Sequence, residues 1–134
     1  MAAYGIGPAG VTTITPAARE PYVKMGKLEV ADGSTGFAAF GLPKHAVVVG
    51  VYTISAGANT TQTINVGFTN GGIELVSSFA PNSTGYAPTG AQTGASVGVQ
   101  LTADKVVYLK ASATLTNPVI VKVEYIIPPQ GLSL

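Results

Sequence analysis

Ala46-Val47-Val48-Val49-Gly50-Val51-Tyr52-Thr53-Ile54 is the stretch on which the fold turns. It is apolar almost throughout and rich in β-branched residues, the pattern of a strand buried on both faces and central in its sheet. Gly50 interrupts it, and no run in the chain approaches the ~20 apolar residues that a membrane-spanning helix needs. The flanks point the same way. On the C-terminal side, Thr61, Thr63 and Asn65 alternate with Gln62, Ile64, Val66 and Phe68, which predicts a strand with one face in water. Asn70-Gly71-Gly72 then predicts a hairpin turn into a strand over 73–79, because these residues tolerate positive φ. On the N-terminal side, 23–30 predicts a strand whose apolar phase shifts at Gly26, as at a β-bulge. Asp32-Gly33 would turn it into a partner over 35–40.

The rest of the chain repeats the theme. Segments 95–101, 105–113 and 119–127 each read as strands, the last two joined through Leu115-Thr116-Asn117-Pro118 as a hairpin. Pro128-Pro129 would end the pairing by removing two backbone donors. Residues 80–94, APNSTGYAPTGAQTG, hold mostly turn formers and small residues and read as a long loop, a kind of segment that tends to be functional. The composition agrees with this reading. Val (16), Ile (8) and Thr (15) outnumber Leu (8), Lys (6), Glu (4), Gln (4), Met (2) and Arg (1), while 17 Gly and 9 Pro leave no uninterrupted helical window. About eight short strands predict an all-β chain: a single antiparallel β-sandwich or barrel, with the long mid-chain crossover fitting a jelly-roll-like sandwich. Residues 1–22, with three prolines and no sustained period, read as an extended N-terminal arm. The sandwich then occupies 23–134, within the size range of one domain.

Charge and reactive chemistry narrow the functional classes. Only 10% of the 134 residues are charged and the net charge is +1, against about 25% charged in an ordinary domain. There is no basic stripe for nucleic acid, and the apolar content argues against disorder. The absence of Cys removes disulfides, thiolate-held metals and cysteine nucleophiles. His45 is the only imidazole. It has no acid or nucleophile motif around it and reads as a surface or edge residue before the apolar strand. Gly5-Ile6-Gly7-Pro8-Ala9-Gly10 matches G-x-G-x-x-G in letters, but no strand can precede it and no helix follows. No enzyme, cofactor or metal is expected. Lys105, Lys110 and Lys122 could group across the last hairpin beside Asp104 and Glu124, as a solvated face. Asn59-Thr60-Thr61 and Asn82-Ser83-Thr84 match the glycosylation acceptor pattern by chance, since no secretory leader is apparent and synthesis in the cytosol is the plain expectation.

Two stretches resemble small tailed-bacteriophage capsid decoration (cement) proteins. One is Gly41-Leu42-Pro43-Lys44-His45 running into Ala46–Ile54 and followed by Thr61-Gln62-Thr63-Ile64-Asn65-Val66-Gly67. The other combines Leu101-Thr102-Ala103 and Val107-Tyr108-Leu109 with Val119-Ile120-Val121-Lys122-Val123-Glu124-Tyr125-Ile126. The resemblance implies a jelly-roll module bound to the outside of an icosahedral shell, where it stabilises contacts between capsomers. It implies the major capsid protein and further copies of the chain, as a homodimer or homotrimer, for partners, and no nucleic acid or membrane. The expected location is the outer surface of the virion capsid, after synthesis in the host cytoplasm. Candidate protein-contact residues are Tyr4, Ile6, Val11, Ile14 and Tyr22 as apolar anchors of the arm, Arg19 as its one guanidinium, and Tyr86 in the long loop. The competing reading is a carbohydrate-binding or adhesin-like module with Tyr86 as the stacking residue, or another head or tail component.

Overall fold

The computed structural model describes residues 22–129. Eight strands are present: β1 (Tyr22–Leu28), β2 (Phe37–Leu42), β3 (Val47–Ser55), β4 (Ile64–Gly67), β5 (Val76–Phe79), β6 (Gly85–Pro88), β7 (Lys105–Ala111) and β8 (Val119–Ile126). They form two four-stranded sheets of order β1-β8-β3-β6 and β2-β7-β4-β5. Every pairing is antiparallel. Partners nest as β1 with β8, β2 with β7, β3 with β6 and β4 with β5, so the chain is one long folded-back hairpin rolled over itself. The result is a β-sandwich with jelly-roll-like winding. Between the sheets lies a single apolar cluster that includes Leu28, Leu42, Val51, Ile64, Val66, Leu75, Val107, Leu109, Val121 and Val123.

The rolled topology overturns two expected hairpins. β1 and β2 lie in different sheets, as do β7 and β8. The turns at Asp32-Gly33 and Thr116-Asn117 therefore carry the chain from one layer to the other. Among the described residues only the Asn70-Gly71-Gly72 turn joins neighbouring strands, with Gly71 at φ 86°. β3 is central in its sheet as expected, but it is not covered on both sides. After a bulge at Val48/Gly50 its residues alternate between buried and half-exposed, since among the described residues no layer covers the outer face of this sheet. β1 pairs with β8 in unbroken register from Tyr22 to Leu28, without a bulge at Gly26. The apolar Val23 and Met25 instead point outward.

The sixth strand is displaced from its expected place. Residues 95–101 carry an alternating pattern but form successive turns, in which Val97 N–H donates to Gly94 O and Val99 N–H to Ser96 O. The real β6 falls inside the 80–94 segment, where Gly85-Tyr86-Ala87-Pro88 pairs with the far half of β3. Pro88 is accommodated because β6 is an edge strand and Pro88 is its last residue.

One end of the sandwich is closed by a polar knot. Asn59, fully buried, donates from Nδ2 to Asn117 O (3.1 Å) and accepts at Oδ1 from the N–H groups of Thr116 (2.9 Å) and Asn117 (2.8 Å). Its own N–H donates to Pro81 O (2.9 Å). A single residue thus ties the β3–β4, β5–β6 and β7–β8 connections. Its side-chain nitrogen is sequestered, so this acceptor sequence is closed to modification in the folded protein.

Candidate functional site

The outer face of the β1-β8-β3-β6 sheet carries the exposed Val23, Met25 and Tyr86, while Ile73, Val99 and Val106 are exposed elsewhere. Along β8, Val119, Val121, Val123 and Tyr125 point into the core, while Ile120, Lys122, Glu124 and Ile126 point out. Register then sets the outward rows. Met25, Lys122, Tyr52 and Pro88 stand side by side across the four strands, next to a row of Lys27, Ile120, Ile54 and Tyr86. The Tyr52 and Tyr86 rings stack with centroids 5.2 Å apart. Lys122 Nζ lies 4.8 and 5.1 Å from those two centroids and 3.1 Å from Glu124 Oε2. The hydrogen bond to Glu124 holds the Lys122 ammonium above the ordinary lysine range, with the neighbouring Tyr86 acting in the same direction. Lys27 is likewise paired, 3.3 Å from Glu29. Tyr86, singled out from sequence, therefore stands on this face and not at the tip of a loop. Tyr52 and Lys122 were not identified as its neighbours, because they meet it only once β6 pairs with β3. The signal available was their shared outward phase, Tyr52 with Ile54 and Lys122 with Ile120.

The other described candidate, Tyr22, lies elsewhere. Its side chain is in the inward phase of β1 at the end of the sandwich opposite the Asn59 knot, stacked on Tyr125 at 5.2 Å. Burial, with the adjacent Tyr22 phenol, raises the Tyr125 pKa above its usual value. An open cleft of about 480 Å³ begins beside them, lined by Lys24, Leu42, Pro43, Asp104, Lys105, Val106 and Tyr125 among others. Tyr4, Ile6, Val11, Ile14 and Arg19, with the rest of the expected arm and the Gly5–Gly10 pattern, lie outside the described residues. Tyr22 is the first residue of β1.

Two further carboxylates are spent on backbone contacts. Asp104 Oδ1 accepts the Lys44 N–H (2.8 Å), and Glu74 Oε1 accepts the Phe68 N–H (2.9 Å). His45 is exposed before β3 at φ 75°. No group of three His, Asp or Glu side chains that could hold a metal occurs among the described residues. Nor is any helix there long and apolar enough to cross a membrane. The expected lysine group is not formed, because Lys122 is on one sheet and Lys105 and Lys110 are on the other.

The fold and this surface define a jelly-roll-like β-sandwich whose prominent surface feature is an apolar, aromatic sheet face. Among solved structures, the chain resembles one described as "Cyanophage Pam1 capsid asymmetric unit", with a TM-score of 0.60 and 22% sequence identity over 96% of this chain and 93% of that one. The likeness is one of fold. No family model matches the sequence, and no curated protein matches it.

Proposed function

We propose that this chain is a structural protein of a phage head, specifically a decoration or cement protein that binds the outer surface of the icosahedral shell and stabilises contacts between capsomers. The observation that carries this reading is the eight-stranded fold shared almost end to end with a chain of a phage capsid asymmetric unit. The chemistry is compatible with it: Glu29 and Glu124 are held in ion pairs, Asp104 and Glu74 in hydrogen bonds to backbone N–H groups, and the outer sheet face carries exposed apolar side chains suited to protein contact. Its partners are the major capsid protein and other copies of itself. The segment before Tyr22 contributes Tyr4, Ile6, Val11, Ile14 and Arg19 to the shell contact, and repetition over a lattice strengthens individually modest contacts through effective concentration.

Electron microscopy of the source particle tests the reading directly. Regular density of this sandwich on the outside of the head supports it, and a head bare of such density overturns it. Deleting residues 1–20 should leave a folded sandwich that no longer attaches to shells, and full decoration by the truncated protein would remove the arm from the mechanism. The carbohydrate reading rests on the exposed Tyr86 ring. Glycan-array binding that is lost in Tyr86→Ala would favour it over shell binding.

A further inference from the structure

We propose that the outer face of the β1-β8-β3-β6 sheet is a two-fold interface, on which a second copy of this chain docks sheet against sheet. The inference selects a dimer and gives it a location, and it stands whether or not the protein binds a shell.

An antiparallel sheet with one face in water ordinarily presents polar residues on that face. Here Val23, Met25 and Tyr86 are 47%, 59% and 56% exposed, and Ile54 and Ile120 beside them are only half-buried. These apolar side chains are interrupted by Lys122, Glu124 and Lys27, whose charges are paired, and exposed apolar area of this kind marks a surface that another protein covers.

Charge identifies the occupant. Lys122 is neutralised by Glu124 and Lys27 by Glu29, both within the protomer. A strongly acidic or basic partner would gain little against this face. A second copy brings the same internally balanced pairs, so the faces meet without an uncompensated charge, which is what a self-complementary isologous contact requires.

The area is that of a small interface. Strands β1, β8, β3 and β6, of 7, 8, 9 and 4 residues, at ~3.3 Å per residue and ~4.8 Å spacing give a face of roughly 450 Å². Two such faces bury about 900 Å² in projection, the size of a weak, reversible association. Sheets packed in this way sit ~10 Å apart with strands inclined by about 30°, the geometry already used inside the sandwich.

Sedimentation velocity of the full chain between about 1 and 100 µM decides the matter. The expected species is a dimer, twice the 13.5 kDa chain mass. Met25→Glu, and separately Tyr86→Lys on the opposite edge strand, should each weaken the dimer by at least about tenfold while circular dichroism and the melting curve show an intact fold. Val106→Glu, exposed on the other sheet, should leave dimerisation unchanged. A monomer throughout the range, a trimer, or dimers indifferent to both substitutions would overturn the proposal. A dimer that fails to bind shells would count against the proposed function alone.

Discussion

Replacing Asn59 with alanine removes the side chain that ties the β3–β4 connection to the β7–β8 connection at one end of the sandwich, and leaves the backbone bond from the Asn59 N–H to Pro81 O in place. Three hydrogen bonds go: Nδ2 to Asn117 O, and the Thr116 and Asn117 N–H groups to Oδ1. At ~1 kcal/mol net for each bond, the loss is about 3 kcal/mol. The penalty for stranded donors adds little, because Thr116 is exposed and Asn117 only half-buried, so water can reach the freed N–H groups. For a domain of this size that corresponds to a fall in Tm of roughly 10–15 °C. Equilibrium urea unfolding, extrapolated linearly, should show the midpoint moving at constant m-value. The control is Asn82→Ala, in the other Asn-x-Ser/Thr sequence. Asn82 is exposed, and its replacement should change stability by no more than about 0.5 kcal/mol. A loss below about 1 kcal/mol for Asn59→Ala would refute the idea that this knot organises the loop end.

Other perturbations test the layers separately. A Cβ on Gly26 would lie 2.8 Å from Ala39 Cβ and 3.0 Å from Leu109 Cδ1, so Gly26→Ala should cost about 1–3 kcal/mol through overpacking. Leu109→Ala should cost about 2–5 kcal/mol by leaving a cavity. The double variant should lose less than the sum of the two, since the smaller side chain makes room for the new methyl; strict additivity in urea unfolding would place these residues out of contact. Tyr125 and Lys122 both have folded-state pKa values above the ordinary 10.0 and 10.5. Their contributions are therefore complete below pH 10 and are lost as pH rises through the folded-state values. Thermal melts from neutral pH to pH 11 should be flat up to about pH 10 and then fall. Tyr125→Phe should blunt that fall, and an unchanged alkaline limb would exclude Tyr125 as a source.

What could be read in the residues depended on how local the information was. Ala46–Ile54 and the alternation of residues 119–127 identified the two central strands because β-branched density and a period of two are properties of consecutive residues. The Asn70-Gly71-Gly72 turn was legible for the same reason. Segment 95–101 misled because Val97, Val99 and Leu101 alternate as strongly as a strand, yet the Val97 and Val99 N–H groups close turns, and the segment meets the start of β3 only through separate bonds such as Leu101 N–H to Ala46 O and an isolated bridge at Gln100, which do not build a ladder. Gly85-Tyr86-Ala87-Pro88 was missed because Tyr86 is its one strand-favouring residue among Gly, Ala and Pro; it is held in place by β3.

The sequence by itself determined a Cys-free, charge-poor, all-β sandwich of about eight strands and marked Tyr86 as an exposed aromatic. Only the tertiary structure decided that the turns at Asp32-Gly33 and Thr116-Asn117 cross between sheets, that Asn59 closes one end, and that Tyr86 meets Tyr52 and Lys122 on the outer face that also carries Met25. These residues lie tens of positions apart. Propensity and periodicity act over a few neighbouring residues, whereas which strand lies beside which is settled by the shared burial of the core between two sheets.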